Sequence, residues 1–494
     1  MKKILLLLVA VITSVLLVGC DFDKSKAEVS TPEEFFEVLF AYVEGNVKYA
    51  DTMILTEDLD FSGYEWPLGY DFGFIKGEGH TIKNITIQVS EGDKVGMFES
   101  IKEISDLNIE NLNVTYYGKD GIVGGITAAP KWTVRSLSNI KITGKIYAPS
   151  AECVGGLIGK IDNIGCELKD IDIDMTVTGG NHVGGAIGYV YERSRWQGDE
   201  VRAITLENVT NRGDIISKAA VVEREEIFEW ENNKFTSESY AGGLVGAYYN
   251  DIGTVNNCKN YGTVKSNKYA GGLMGDAIIS SCKNSTNEGA VSTVKTEVGF
   301  TYVGGIAATL KVSATVENCQ NTAKIESTGE SGFGGGIAGY LYTEGRFVQC
   351  KNSGQSVANT AGGMVGYCED NSQFLMCENT AEVGSLDKSL VAGGIAGYAK
   401  NAFVNQCTNS GSISAFCCGG IVGKFDIYDT DAEGVVISST NNGNVTASSK
   451  KDGYAGGIIA IMDEFEMIGI DTNTNTGELS GWKTEEIVNI VEME

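Results

Sequence analysis

Proline and histidine are scarce in this chain of 494 residues. All four prolines precede residue 150. Proline cannot donate a backbone hydrogen bond, so its absence from residue 150 onward is typical of a chain whose backbone donors are committed to β-ladders. The two histidines, His80 and His182, are far apart, so the zinc motif H-E-x-x-H is absent. This excludes metallopeptidases of that class, and we interpret both histidines as structural.

Basic residues are outnumbered by acidic ones, 38 against 65, which gives a formal net charge of −27. Nucleic acid is therefore excluded as a partner. An anionic polysaccharide would also be repelled unless cations or local basic residues intervened. The excess of one sign is typical of a long, exposed molecule that stays soluble and unassociated.

An apolar run at residues 4–18 follows two lysines. It is shorter than the about 20 residues that a membrane span needs. It ends in Leu-Val-Gly-Cys20, which resembles the lipobox of bacterial lipoproteins. The resemblance implies a signal peptide over 1–19, acylation of Cys20, a flexible tether over 20–29, and a lipid-anchored protein on the extracellular face of the cell envelope. A plain secretory signal or a membrane helix is the alternative.

Glycine is abundant, at 64 residues, and it recurs in pairs. Eleven pairs are each followed by an apolar residue, and most are 26 to 37 residues apart. Their second glycines are Gly125, Gly156, Gly185, Gly243, Gly272, Gly305, Gly336, Gly363, Gly394, Gly420 and Gly457. A repeat of this length predicts a solenoid, in which each coil buries its apolar face by stacking on the next.

Each repeat contains three short β-favouring runs separated by turn residues. This pattern predicts an all-β fold, a three-sided parallel β-helix whose connections are right-handed. With rungs about 4.8 Å apart, about fourteen coils would form a rod roughly 65 Å long. The interval from Gly185 to Gly243 is twice the usual length, and we interpret it as two coils, one of which lacks its glycine pair.

Two side-chain columns and one corner should line the rod. The residue after each glycine pair, and a second column from Val264 to Val445, should face the core. A corner of the form C-x-N-x-G recurs between them, as at Cys258 to Gly262. Asparagine tolerates the left-handed turn conformation and can hydrogen-bond along the rod, so we interpret these asparagines as structural. We interpret the recurring cysteines, including Cys282, as one column of buried thiols, with some disulfide pairing as the alternative.

The sequences Gly-Gly-Leu-Val-Gly at 242–246 and Gly-Gly-Ile-Ala-Gly at 335–339 resemble the GLUG motif. That motif is known from bacterial surface proteins, including adhesins and the flanking regions of IgA-cleaving metallopeptidases. The resemblance covers residues 30–480, and residues 74–87 resemble the opening rung of such helices. It implies a right-handed β-helix similar to the pectate-lyase fold. It implies no activity, because the motif is scaffold.

The open ends of a β-helix need caps, because unpaired strand edges would pair with other chains. Residues 30–100 should therefore form an N-terminal cap helix, which begins near Thr31, and the opening rungs. Residues 101–480 should form the repeat domain, with inserts at 191–200 and 219–239, and 481–494 a second capping helix. Because long insertions in solenoids often decorate a binding face, the acidic insert around Trp230 is a candidate ligand contact, with a solvated loop as the alternative.

Four tyrosines follow the last glycine of their motifs: Tyr189, Tyr340, Tyr367 and Tyr398. If they face outward they form an aromatic ladder that can stack on sugar rings, and if they face inward they contribute packing. No cofactor is predicted, but calcium is an alternative at Asp429, Asp431 and Glu433, which form the first half of a calcium loop. The twelfth position of that loop is Thr440 instead of glutamate.

These features predict a lipid-anchored surface protein that acts as a binding or adhesion rod for glycans or for host and matrix surfaces. No catalytic constellation is identifiable, so an enzyme is not predicted. The main alternative is an extracellular carbohydrate-active enzyme of the same fold, a polysaccharide lyase or a glycoside hydrolase. A purely structural surface component is the second alternative.

Overall fold

The predicted parallel β-solenoid is confirmed. In a computed structural model, strands from successive repeats pair in parallel along a rod of about 12 turns. The structure describes residues 26–43, 51–192, 202–219, 238–294, 299–311, 313–342, 344–427, 435–462 and 472–489. Most of each predicted insert, Trp230, Asp429, Asp431, Glu433, residues 1–25 with Cys20, and residues 490–494 lie outside these ranges.

The glycine pair divides one predicted run of each coil into two strands. We call these the pre-glycine and post-glycine strands. The pre-glycine strands are Lys94–Val95, Ile122–Gly124, Cys153–Gly155, His182–Gly184, Tyr240–Gly242, Tyr269–Gly271, Thr301–Gly304, Gly332–Gly335, Thr360–Gly362, Val391–Gly393 and Cys417–Gly419. The post-glycine strands are Ile158–Asp162, Ile187–Tyr191, Val245–Asn256, Met274–Lys283, Ala307–Leu310, Ala338–Leu341, Val365–Cys368, Ala396–Lys400 and Val422–Asp426. Tyr454–Met462 runs through both positions.

Three further strand positions complete the coil. Strands leading to the asparagine corner are Lys26–Val29, Thr52–Leu55, Asp71–Lys76, Ser100–Tyr116, Val134–Tyr147, Cys166–Gly179, Ile204–Asn211, Thr315–Glu317, Arg346–Val348, Gln373–Leu375, Phe403–Asn405 and Val435–Ile437. Short strands at the corner are Leu59–Asp60, Thr81–Lys83, Lys259–Asn260, Thr286–Asn287, Gln320–Asn321, Lys351–Asn352, Glu378–Asn379, Thr408–Asn409, Thr440–Asn441 and Thr474–Asn475. Strands after the corner are Thr86–Val89, Ile215–Ser217, Val264–Ser266, Val291–Thr293, Ile325–Glu326, Ser356–Val357, Ile413–Ala415, Val445–Ala447 and Leu479–Ser480.

Both predicted core columns are buried. Every residue that follows a glycine pair, from Ile126 to Ile458, is at most 3% exposed. The second column, Val264 to Val445, is buried as well, although in one coil the paired residue is Ser356 instead of Val357. Regular spacing of apolar residues in the sequence therefore identified the interior, because each rung repeats the last.

The corner asparagines form a continuous buried ladder. From Asn211 to Asn475, each side-chain amide donates to the side-chain oxygen of the next asparagine, at 2.7 to 2.9 Å. The same amide also donates to a carbonyl two residues along its own chain. In the coil after Asn409 the sequence pattern around the corner predicts Asn442 as the ladder member, and this is wrong, because Asn409 pairs with and donates to Asn441.

The double-length interval is a single coil. His182–Gly184 pairs directly with Tyr240–Gly242, and Ile187–Tyr191 pairs with the start of Val245–Asn256. The prediction of two coils here was wrong, since the strands on either side of the interval belong to consecutive rungs. The interval therefore adds one coil fewer than predicted, and the rod has about 12 turns instead of fourteen.

The N-terminal helix, Pro32–Val43, is the only α-helix in the described part of the chain. The Thr31 hydroxyl accepts from the Glu34 amide, and the Glu34 carboxylate accepts from both the amide and the hydroxyl of Ser30. Phe35 and Phe36 are buried and pack against a neighbouring cluster of aromatic rings that includes Phe61 and Trp66. The predicted N-terminal helix is confirmed.

The C-terminal helix prediction was wrong. Lys483–Asn489 is a strand, and it pairs in parallel with Tyr454–Met462. The preceding rung presents backbone donors and acceptors along its edge, and another strand satisfies them, whereas a helix packed across that edge would not.

Candidate recognition faces

The glycine pairs form a tight corner between two strands of the same coil. A Cβ added to Gly335 would lie 2.0 Å from the carbonyl oxygen of Ala338, and one added to Gly336 would lie 2.2 Å from that of Gly363. Any side chain would therefore force the strands apart. Because the corner is this tight, outward side chains of the pre-glycine and post-glycine strands contact each other.

These contacts form a strip of rings along seven consecutive coils, which we call the aromatic seam. Its pre-glycine members are His182, Tyr240, Tyr269, Tyr302 and Phe333, and its post-glycine members are Tyr189, Tyr340, Tyr367 and Tyr398. The two sides meet directly, for example where Tyr302 and Tyr340 pack edge to face with centroids 5.7 Å apart. The seam thus fills the outer side of the glycine corner.

Rings within the seam stack mainly on their neighbours along the rod. The centroids of Tyr240 and Tyr269 are 4.5 Å apart, and those of Tyr340 and Tyr367 are 4.8 Å apart, with planes within 20° of parallel. Stacking covers the ring faces, and the Tyr340 and Tyr398 hydroxyl groups donate to the carboxylates of Glu369 and Asp426. The structure brings Tyr340, Tyr367 and Tyr398 together as half-buried neighbours and buries Tyr189, which is 2% exposed.

Sequence reasoning missed the pre-glycine half of the seam. A signal was present, because an aromatic residue stands two positions before the glycine pair in four consecutive coils, at Tyr240, Tyr269, Tyr302 and Phe333. Its meaning depended on the fold of the corner. Only a tight turn places that position against the tyrosine that follows the motif.

Two buried carboxylates lie within the seam. Asp276 accepts hydrogen bonds from Thr309 and Tyr249. Its carboxylate also forms an ion pair with the Lys311 ammonium, at an N–O distance of 2.6 Å. Asp426 is arranged similarly, with a hydrogen bond from Tyr398 and an ion pair to Lys424 at 2.9 Å.

The ammonium groups also lie near tyrosine rings. Lys311 Nζ is 5.3 Å from the Tyr249 centroid, and Lys424 Nζ is 4.7 Å from that of Tyr398. Burial opposes the charged form of Lys311, but attraction to Asp276 outweighs this effect and raises the ammonium pKa. Lys311 therefore keeps its proton at neutral pH.

His182 is enclosed at one end of the seam. Its ring stacks between Tyr189 and Tyr240, with centroids 4.5 and 4.9 Å away, and its Nδ1 lies 3.9 Å from the Cys153 sulfur. Burial lowers its pKa from 6.5 to about 4, so it is neutral at pH 7. The position supports the structural interpretation. His80, by contrast, is partly exposed, with Nδ1 3.5 Å from Asp58.

We expect stability to fall on acidification because of His182. Its folded-state pKa is below that of the unfolded chain, so between pH 6.5 and about 4 unfolding takes up a proton and the native state loses about 3 kcal/mol. In the variant His182→Phe, which keeps a stacked ring, this part of the pH dependence should vanish. Guanidinium unfolding of both proteins at pH 7 and pH 4.5 measures it. Equal losses in the two proteins would contradict the assignment.

The cysteines form an interrupted column. Cys319, Cys350, Cys377 and Cys407 stand in register beside the corner asparagines, and Ser285 occupies this position between Cys258 and Cys319. Assigning Cys282 to the same column was wrong, because it pairs with Val255 and Val316, although its sulfur lies 3.8 Å from that of Cys319. The cysteines in the described residues are all unpaired and buried. Burial raises the pKa of the Cys319 and Cys350 thiols, which disfavours the reactive thiolate.

A second surface feature lies on the N-terminal coils, which we call the polar groove. It is a depression of about 320 Å³ that extends across five coils, from Gly79 to Arg212. Its polar side chains include Asp106, Asn139, Lys141, Asp170, Asp172, Asn208 and Arg212. Four of them, Asp106, Asn139, Asp170 and Asn208, share one turn position and adopt left-handed backbone angles, with φ between 50° and 55°. No sequence motif marks this groove, because each coil contributes only a few of its members and successive coils are about thirty residues apart.

Neither a family model nor a curated protein matches this chain. Among solved structures, a crystal structure of a "putative immunoglobulin A1 protease" from Bacteroides ovatus is similar, with 13% identity and a TM-score of 0.24. The match covers 93% of this chain and 85% of that chain. An identity and a TM-score this low carry no conclusion about the activity of this chain.

The described residues contain no group of three His, Cys, Asp or Glu side chains that could hold a metal ion. They also contain no helix that is both long and apolar enough to cross a membrane.

Proposed function

We propose that this chain is a lipid-anchored binding or adhesion protein of the bacterial surface. Cys20 would carry the lipid, and the GLUG-type β-helix would hold a recognition face away from the membrane. The aromatic seam is that face, and its partner is an extracellular glycan or a matrix surface. A β-solenoid is consistent with a surface or extracellular protein.

The observation that supports this proposal is the seam itself. Half-buried tyrosines on consecutive coils present ring edges in a line, together with the ammonium groups of Lys311 and Lys424. Glu369 and Asp426 hold the Tyr340 and Tyr398 hydroxyl groups in place. Tyrosine is enriched at binding surfaces, because it offers a rigid apolar body with a polar end at low entropic cost. An extended polymer that lies along the rod would meet the same chemistry at successive rungs.

The protonation of Lys311 favours binding over catalysis at this part of the seam. A lyase of this fold needs a Lys or Arg base that is free to take a proton. Lys311 is held as an ammonium by Asp276, so it is a poor general base at neutral pH. We therefore propose that a partner is retained unchanged.

The test uses residues 21–494 on an array of glycans and host-matrix proteins, with and without calcium. Replacing Tyr340, Tyr367 and Tyr398 by alanine should weaken retention at least about tenfold, since it removes three neighbouring contacts. The matched phenylalanine variant keeps the rings and removes the hydroxyl groups, so it separates packing from hydrogen bonding. The control is Tyr117→Ala, an exposed tyrosine outside the seam.

Melting curves of each variant identify any loss of folding. Full retention by a folded triple alanine variant would exclude the seam as the recognition face. Release of shortened glycan fragments from the array would replace the adhesion proposal by the carbohydrate-active enzyme.

A further inference from the structure

We propose that the polar groove is a second binding site and that it takes a neutral oligosaccharide. The groove shares no residue with the aromatic seam, so this inference stands on separate observations. It goes beyond the adhesion proposal by assigning a ligand class to the N-terminal coils.

The size of the groove fits a short sugar chain. Its volume of about 320 Å³ lies at the lower end of the range of ligand sites, about 300 to 1,000 Å³. Five rungs at about 4.8 Å give a length of roughly 19 Å along the rod. The lining comes from the same sheet positions in each coil, so an extended ligand would run along the rod axis.

Hydrogen bonds between rungs fix the carboxylates in the groove. The Asn139 amide donates to Asp106 at 2.7 Å, and the Asn208 amide donates to Asp170 at 2.6 Å. Each bond uses one carboxylate oxygen, and the second oxygen can accept from a hydroxyl group. A carboxylate accepts strongly and cannot donate, whereas every sugar hydroxyl can donate. Rows of fixed acceptors therefore match a polyhydroxylated ligand.

The charge of the groove favours a neutral ligand. Asp106, Asp170 and Asp172 oppose an anionic sugar, and the protein as a whole is strongly acidic. Lys141 and Arg212 in the same lining oppose a cationic amino sugar. Arg212 also pairs with Asp172, with Nε 2.8 Å from the carboxylate, so these two charges are balanced locally.

An aromatic ring lies at the end of the groove. The Arg212 guanidinium is 5.0 Å from the centroid of Tyr261, which is 38% exposed. Contact with the guanidinium orients the ring, and the exposed part of the ring can contact the apolar face of a sugar. In the seam, by contrast, ring faces are covered by stacking and the carboxylates Asp276 and Asp426 are buried.

In the experiment, cellotriose, maltotriose, mannotriose and trigalacturonate are each titrated into a protein of residues 21–494. Calorimetry measures the binding. The test variant is Asp106→Asn combined with Asp170→Asn. Asparagine already occupies the same left-handed turn in neighbouring coils, at Asn139 and Asn208, so this variant should fold. The matched control is Asp174→Asn, an exposed carboxylate on the same strand as Asp170 and outside the groove lining.

We expect at least one neutral trisaccharide to bind and trigalacturonate not to bind. The double variant should weaken binding about tenfold or more, which is the effect of losing charge-assisted hydrogen bonds. The Asp174→Asn protein should bind with an affinity within about twofold of that of the unaltered protein, because Asp174 is outside the groove lining.

Three results would overturn the inference. One is that no neutral trisaccharide binds, and another is that the folded double variant binds as well as the unaltered protein. The third is that calcium alone raises the melting temperature and the double variant abolishes this rise, which would make the groove a cation site. None of these results bears on the adhesion proposal, which is tested by the seam variants.

Discussion

Replacing Gly363 by alanine should destabilise the fold by about 4 kcal/mol or more. A Cβ at this position would lie 2.0 Å from the carbonyl oxygen of Gly394 and 2.6 Å from the side-chain carbon of Asn379. The strand that precedes Gly394 is hydrogen-bonded to the neighbouring rung, and the Asn379 side chain is held in the asparagine ladder. Neither can move without breaking hydrogen bonds, so the strain cannot relax locally. Guanidinium unfolding followed by circular dichroism measures the loss.

Gly366→Ala provides the matched control within the same coil. Its added Cβ would meet backbone atoms no nearer than 2.7 Å, and alanine stands naturally at the equivalent position in three other coils, as Ala128, Ala308 and Ala460. We expect it to cost no more than about 2 kcal/mol. A loss from Gly363→Ala as small as that expected from Gly366→Ala would show that the corner tolerates a side chain and would remove the basis of the seam geometry.

The second large effect is expected from Asn379→Asp in the middle of the buried ladder. The Asn379 amide donates to Asn409 at 2.7 Å and to the carbonyl of Ala381 at 2.9 Å. An aspartate cannot donate when ionised, so a buried carboxylate would face two acceptor oxygens. Leaving such groups unsatisfied, and burying a charge, should cost at least about 3 kcal/mol at pH 7. The melting temperature and the unfolding midpoint measure it.

Asn318→Asp is the control, because it exchanges the same amide for a carboxylate at an exposed position. Asn318 is exposed and has φ 52° in the same turn column as Asp106 and Asp170, where aspartate occurs naturally. We expect a change within about 0.5 kcal/mol, as for surface substitutions in general. A stable Asn379→Asp protein would show that the ladder contributes little, and the structural role assigned to the asparagines would be wrong.

Much of this fold could be predicted because its determinants recur once per coil. The residues after the glycine pairs, the corner asparagines and the N-terminal helix are where the sequence pattern places them. Errors arose where the repeat is irregular. At Gly185 to Gly243 the length alone could not separate an additional coil from insertions, and at 483–489 a helical spacing of apolar residues was equally compatible with a strand.

The candidate sites were less predictable than the fold. The tyrosines Tyr340, Tyr367 and Tyr398 were identified, but their ring stacking and the aromatic residues opposite them were not. The polar groove gave no signal in the sequence, because each coil contributes only one or two of its side chains. A site of this kind exists only when distant residues are placed in register.

The sequence by itself determined the solenoid, its interior and its period, because stacking identical turns requires the same small or apolar residue at the same place in every coil. The tertiary structure decided the register between coils of unequal length, which is set by backbone hydrogen bonds across the rungs. It also decided which outward side chains meet. The tight glycine corner brings the pre-glycine and post-glycine rings into contact, and rung stacking aligns Asp106 with Asp170. These contacts depend on distances between side chains in space, and the spacing of residues along the chain does not specify those distances.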